Sequence, residues 1–292
     1  MKAIIFGING QDGYYLKRIL EDKNIVVSGV SRSNGNWIKG SVADPVFVET
    51  LIKETQPDYI FHLAANSTTQ HYALTENHET ICTGTLNILE SVYKLSPKSK
   101  VFLSGSAMQF ENKGLPINEK TAWSASNPYA VARIQSVYSA RYYRTLGLNV
   151  YVGYLFHHES SLRKAHHISK LIVDALIRIK NGSDEKIELG NINVKKEWAF
   201  AKDICSGIFT LVNQNKVFEA CIGTGKTYSI KEWLELSFNH FNLDWKKYLI
   251  YKNDFSPEFD CLVSNPATIN SLGWQANTTF KELSDIMINN NL

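Results

Sequence analysis

Three glycines near the start stand at G-x-x-G-x-x-G spacing, in Gly7-Ile8-Asn9-Gly10-Gln11-Asp12-Gly13. The run before them, Ala3 to Phe6, is short and apolar, as a strand buried on both faces is. After them, Tyr14, Leu16, Ile19 and Leu20 follow mixed helical spacing, which predicts a helix over 13–20. In a strand–turn–helix unit the first glycine permits the tight turn and the second lets the backbone approach a pyrophosphate. The third lets the helix pack on the strand. The helix N-terminus offers free N–H groups and the positive end of its dipole to phosphates. The turn therefore predicts a dinucleotide cradle made by Gly7, Asn9, Gly10, Gln11, Asp12 and Gly13, within an α/β fold.

The following segments repeat the alternation. Residues 25–30, 59–63, 101–104 and 148–155 read as strands, and 44–55, 77–95 and 127–146 as helices. Asp44-Pro45 and Asn127-Pro128 each pair a capping side chain with a proline at the first helical position. Strands alternating with helices imply parallel βαβ units and a doubly wound Rossmann sheet. Beyond about residue 155 the pattern loosens, with helices over 168–179 and 229–241; Ser229 and Glu232 form a capping box. Residues 1–155 are thus expected to form the nucleotide-binding domain, to which some later segments return. Residues 156–292 are expected to form mainly a smaller substrate-binding domain.

The end of the second strand discriminates between cofactors. An acid there bonds the ribose 2′-hydroxyl of NAD, and an arginine accommodates the 2′-phosphate of NADP. Val30-Ser31-Arg32-Ser33 holds no acid, so Arg32 favours NADP over NAD. Further on, Tyr129 and Arg133 are four residues apart, on one face of the helix over 127–146. A fixed cation beside a phenol favours the phenolate and makes it a usable acid/base. Ser106 follows a strand end, where open α/β sheets carry their sites. By themselves a Tyr and a Ser mean little, since a helical tyrosine is more often packing.

Composition excludes several classes. The net charge of +3 comes with no dominant Lys/Arg run, so no nucleic-acid partner is expected; an anionic small molecule suits it. No apolar stretch approaches the ~18 residues of a membrane span, and the first apolar run is too short for a signal peptide, so a cytoplasmic location is expected. Cys82, Cys205, Cys221 and Cys261 are spread out, which fits reduced thiols. His157-His158 and His166-His167 lack further ligands at metal-site spacing, so no metal is expected. Gly223 to Thr227 imitates the end of a P-loop, but Glu219 occupies the first glycine's place.

The sequence resembles the extended short-chain dehydrogenase/reductases, and within them the GDP-mannose 4,6-dehydratases. The segments that carry the resemblance span nearly the whole chain: the glycine turn through Leu16, Gln56-Pro57-Asp58, His62-Leu63-Ala64-Ala65, Gly84-Thr85 and Pro128 to Ala132. Tyr154 to Ser160, Leu189-Gly190-Asn191, Trp198 to Asp203 and Leu272-Gly273-Trp274 complete them. The resemblance implies a nucleoside-diphosphate sugar substrate, a GDP-sugar above others, oxidised or reduced at C4 with a nicotinamide cofactor. It implies a homodimer or homotetramer. It places Tyr129, Ser106 and Arg133 in catalysis, and Ser41, Val42, Leu63, Ala64, Ala65, Tyr129 and Arg133 with the turn residues and Arg32 at the cofactor. Ser67, Met108, His157, Glu159, Ser160, Arg163, Lys164 and Lys196 are implied at the substrate.

Departures from the family pattern narrow the expectation. Arg133 stands where the family has lysine, Ser41 where it often has aspartate, Lys196 where an arginine contacts the diphosphate, and His157 where the subgroup has asparagine. Met108 stands where the 4,6-dehydratases carry the glutamate that removes the C5 proton. A thioether transfers no proton. A reductase of a 4-keto-6-deoxy nucleotide sugar is therefore expected, ahead of a 4,6-dehydratase or C4 epimerase. An inactive cofactor-binding partner subunit is the remaining alternative.

Overall fold

A computed structural model describes residues 1–252 and 256–290. Seven parallel strands form the central sheet. They are β1 (Lys2–Phe6), β2 (Val26–Ser31), β3 (Ile38–Lys39), β4 (Tyr59–His62), β5 (Lys100–Ser106), β6 (Asn149–Leu155) and a last strand, Glu219–Ile222. Across the sheet the order is Glu219–Ile222, β6, β5, β4, β1, β2, β3. Every pairing in it is parallel, so the chain crosses over between strands, as the alternation predicts.

β1 feeds both faces of this sheet. Ala3 and Ile5 join the core beneath α1 (Gln11–Glu21), while Ile4 and Phe6 join the core beneath α2 (Pro45–Thr55). All four are essentially fully buried. Full burial contributes roughly 1.5–3 kcal/mol for each of the larger side chains. Asp44 caps α2 by accepting from the Val46 and Phe47 amides, with Pro45 at the first position. Asn127 caps α5 (Pro128–Thr145) through the Ala130 amide, again ahead of a proline. Both starts agree with the sequence expectation.

The expected helix over 77–95 is present and begins earlier, with α3 (Leu74–Asn77) continuing through a π-helical stretch, His78–Thr83, into α4 (Gly84–Leu95). At Gly84 a Cβ would lie 2.8 Å from Val42 Cγ1, so the glycine lets the helix approach Val42 closely. The first helix begins at Gln11 rather than Gly13, and β5 extends two residues beyond the expected strand, to Ser106.

The remaining helices are α6 (Ile168–Lys180), α7 (Ala201–Val212), α8 (Ile230–Asn239), α9 (Ala267–Ser271) and α10 (Phe280–Ile288). α7 packs against α1 on the sheet, while α6, α8 and α10 pack on one another. Ser229 and Glu232 form the expected capping box on α8. Trp198 stacks on Trp233 at 4.7 Å within this second part. Among the described residues no helix is long and apolar enough to cross a membrane. The four cysteines are free thiols, and no three His, Cys, Asp or Glu side chains among the described residues gather to hold a metal.

Candidate active site

The glycine turn lies at the carboxyl end of β1, between the carboxyl ends of β2 and β4. Gly7 has φ +95°, and a Cβ there would lie 2.7 Å from the Ala64 amide nitrogen. A Cβ on Gly13 would lie 2.5 Å from the Gly7 carbonyl oxygen. Both positions therefore require glycine. Gly10 differs, since its nearest neighbour would be the Gly7 oxygen at 3.4 Å, so its outer side is free to meet a ligand. Gly10 also opens α1 with no side-chain cap. An open cradle beside an uncapped helix start fits a pyrophosphate.

Around the turn, Leu63 donates its amide to the Phe6 carbonyl at 2.9 Å, which draws the β4 end against Gly7. Val42 is buried and its carbonyl accepts from Asn87, and Ser41 Oγ accepts from the Ala43 amide. Asn9 donates to Ser33 Oγ at 3.2 Å. Arg32, just past β2, pairs with Glu76 of α3 at 2.7 Å.

The side chains of Gln11 and Asp12 turn to the segment after β6. Gln11 donates to the His158 carbonyl and accepts from Ser160 Oγ. Asp12 Oδ1 lies 2.9 Å from His158 Nε2, and His158 Nδ1 lies 2.6 Å from the Phe156 carbonyl. These contacts bind the start of α1 to the segment after β6. Burial opposes charge on both members of the Asp12–His158 pair, and their attraction outweighs it. Asp12 is held below its usual range and His158 above.

Arg133 of α5 reaches the end of β5 and lies against Tyr129. The Arg133 guanidinium sits 4.9 Å from the centroid of the Tyr129 ring, over its face rather than at its hydroxyl. Arg133 is 4% exposed, and its Nη1 donates to both the Ser104 carbonyl and Ser104 Oγ. Ser104 Oγ donates onward to the His62 carbonyl at 3.1 Å. Burial first, and Arg133 second, push His62 down to about 3, so its ring is neutral. Ser106 is the last residue of β5, and its Oγ accepts from the Met108 amide at 3.2 Å. Its own hydroxyl proton meets no acceptor among the described residues.

Met108 lies in the 3-10 turn Ala107–Gln109 that leaves β5. Glu111, the nearest carboxylate along this loop, pairs outward with Lys113 at 3.1 Å, both side chains exposed. Deeper in, Glu159 is 1% exposed and meets Arg163 at 3.1 Å, Lys196 at 3.3 Å and Ser169 Oγ at 2.6 Å. Burial opposes its charge, but Arg163 and Lys196 hold it down to about 2. Burial and Lys196 keep the neighbouring His157 well below its ordinary value. Lys164 and Ser67 are exposed.

Comparison with known proteins follows this geometry. The chain matches the family described as GDP-mannose 4,6 dehydratase over residues 4–287. It belongs to that family. Among curated relatives, GDP-mannose 4,6 dehydratase 2 of Arabidopsis thaliana is 30% identical over 325 aligned residues, covering 99% of this chain and 86% of the relative. Two solved structures share the fold at 19% identity each. One is dTDP-glucose 4,6-dehydratase of Bacillus anthracis in complex with NAD, with TM-score 0.87, covering 99% of this chain and 96% of that one. The other is RMD of Pseudomonas aeruginosa complexed with NADPH, with TM-score 0.86, covering 99% and 97%.

Several GDP-mannose 4,6-dehydratase-family positions in this chain acquire partners that sequence reasoning missed. Ser104 and His62 bracket Arg133, and Glu76 engages Arg32. Neither Ser104 nor Glu76 falls in a recurring motif, so no local pattern marks them. Glu197 is fully buried and accepts from the Thr224, Gly225 and Ser264 amides. The amides of the P-loop-like segment are thus committed to a carboxylate.

Proposed function

We propose that this chain is an NADP-dependent oxidoreductase that reduces C4 of a 4-keto-6-deoxy nucleotide sugar, with a GDP-sugar favoured. The observation that carries the proposal is Met108, a thioether in the turn leaving β5: of the carboxylates further along that loop, Glu111 pairs outward with Lys113 and Glu119 accepts from the Cys221 amide and the Thr268 hydroxyl. Carbonyl reduction requires no base to take a C5 proton.

A nicotinamide cofactor held by Gly7, Gly10, the start of α1 and Arg32 would supply the hydride chemistry. The structural neighbours complexed with NAD and with NADPH support a cofactor of this class, and Arg32 favours the phosphorylated form. Tyr129 gives its hydroxyl proton to the C4 oxygen as the carbonyl carbon gains hydride, leaving a C4 alcohol. Ser106, whose Oγ already accepts from Met108, gives a hydrogen bond to the same oxygen. Such donors act on charge that develops only in the transition state. Arg133 provides fixed positive charge beneath the Tyr129 ring. Arg163 and Lys196 supply cations for the diphosphate, with Glu159 holding them in place.

A 4,6-dehydratase is the second reading. It is favoured by the family match and by the names of the curated relatives. For either reaction, Tyr129→Phe is expected to lower turnover about 10²- to 10⁴-fold while NADPH still binds. Oxidation of NADPH by a 4-keto-6-deoxy nucleotide sugar measures the reduction, and formation of a 4-keto-6-deoxy product from GDP-mannose measures the dehydration. Turnover unchanged in Tyr129→Phe would remove Tyr129 from the chemistry.

A further inference from the structure

Glu76 stands in a position no motif accounts for. The sheet order β4, β1, β2 puts the glycine turn between the ends of β4 and β2. Arg32 follows β2 directly, and Asn66 lies four residues past β4. Glu76 reaches both sides. Its Oε1 accepts from Arg32 Nη2 at 2.7 Å, and its Oε2 accepts from Asn66 Nδ2 at 2.7 Å. The carboxylate therefore links the segment that follows β2 to the segment that follows β4. Hydrogen bonds from Arg32 and Asn66 hold Glu76 below the usual carboxylate range, so it is charged at neutral pH.

On the nicotinamide-cofactor reading proposed above, we infer that Glu76 sets cofactor selectivity by competing with the 2′-phosphate of NADP for Arg32. A 2′-phosphate is a dianion with acceptor oxygens that suit a guanidinium fork. To take Arg32 it must displace a carboxylate that already neutralises that side chain. Glu76 then keeps only its Asn66 partner. NAD carries no such group and leaves the Arg32–Glu76 pair intact. Arg32 alone would give a strong preference for the phosphorylated cofactor, and Glu76 narrows it. The Glu76 side chain is 39% exposed and that of Arg32 60%, so both can move without disturbing the core.

Titrating the full chain with NADPH and with NADH, followed by calorimetry, tests this directly. Glu76→Gln keeps the size of the side chain and removes its charge. It is expected to tighten NADPH binding about five- to tenfold and to change NADH binding less than about twofold. The gain for NADPH should shrink as salt rises, since the groups are exposed. In an Arg32→Ala background the same change is expected to gain less than about twofold for either nucleotide. Equal tightening of both nucleotides, or of neither, would overturn the role of Glu76. If wild type binds neither nucleotide, the cofactor reading itself fails, and the two failures are thus distinct.

Discussion

Arg133 is the residue on which the site turns. It is buried, it lies over the Tyr129 ring, and its Nη1 is spent on Ser104. A buried charge that loses its hydrogen-bond partner is costly. Ser104→Ala removes the Oγ acceptor and keeps the carbonyl, and is expected to lower stability by about 0.5–1.5 kcal/mol, measured by denaturant unfolding. A loss below about 0.5 kcal/mol would mean that water or another group takes over. Tyr129, Arg133 and Ser106 were legible because they fall on family motifs. Ser104 was not, because its part is to accept from an arginine in a lysine's place. Only the fold reveals that β4 and β5 end beside that guanidinium.

At the scale of elements, side chains bind the second part of the chain to the first. Asp12 at the start of α1 meets His158 after β6. The raised value of His158 contributes stability that is complete below its unfolded value of 6.5 and lost as pH rises through the folded one. The lowered value of Asp12 contributes stability that is present above 3.8 and lost as pH falls through the folded one. The melting-temperature gap between wild type and His158→Gln is therefore expected to be widest between these two values. A gap independent of pH would contradict the pairing. Glu159 makes the second tie, holding Arg163 and Lys196. Glu159→Gln leaves two cations unpaired, Lys196 among them nearly buried, and is expected to cost about 3–5 kcal/mol. An unfolding free energy within 1 kcal/mol of wild type, from urea titration, would contradict it.

Helix starts were the most legible elements, since Asp44, Asn127 and Ser229 each state their own cap. The π-helical stretch between α3 and α4 was not legible, because apolar spacing continues through residues 77–95 without a signal for it. Nor does periodicity single out the last sheet strand. Glu-Ala-Cys-Ile is too short for that, and it becomes a strand by pairing with β6.

For the whole molecule, the fold and family follow from motifs spread along the chain, and the reaction does not. A Rossmann sheet with a paired tyrosine and serine serves reduction, dehydration and epimerisation alike. In the function proposed above, dehydration is set aside on a single side chain in the turn after β5, Met108, which cannot transfer a proton. The decisive measurement gives the purified chain GDP-mannose with NADP, and separately the 4-keto-6-deoxy GDP-sugar with NADPH, and identifies the products by mass and NMR. The account predicts a C4 alcohol from the second incubation and unchanged GDP-mannose in the first. A 4-keto-6-deoxy product arising from GDP-mannose would contradict it.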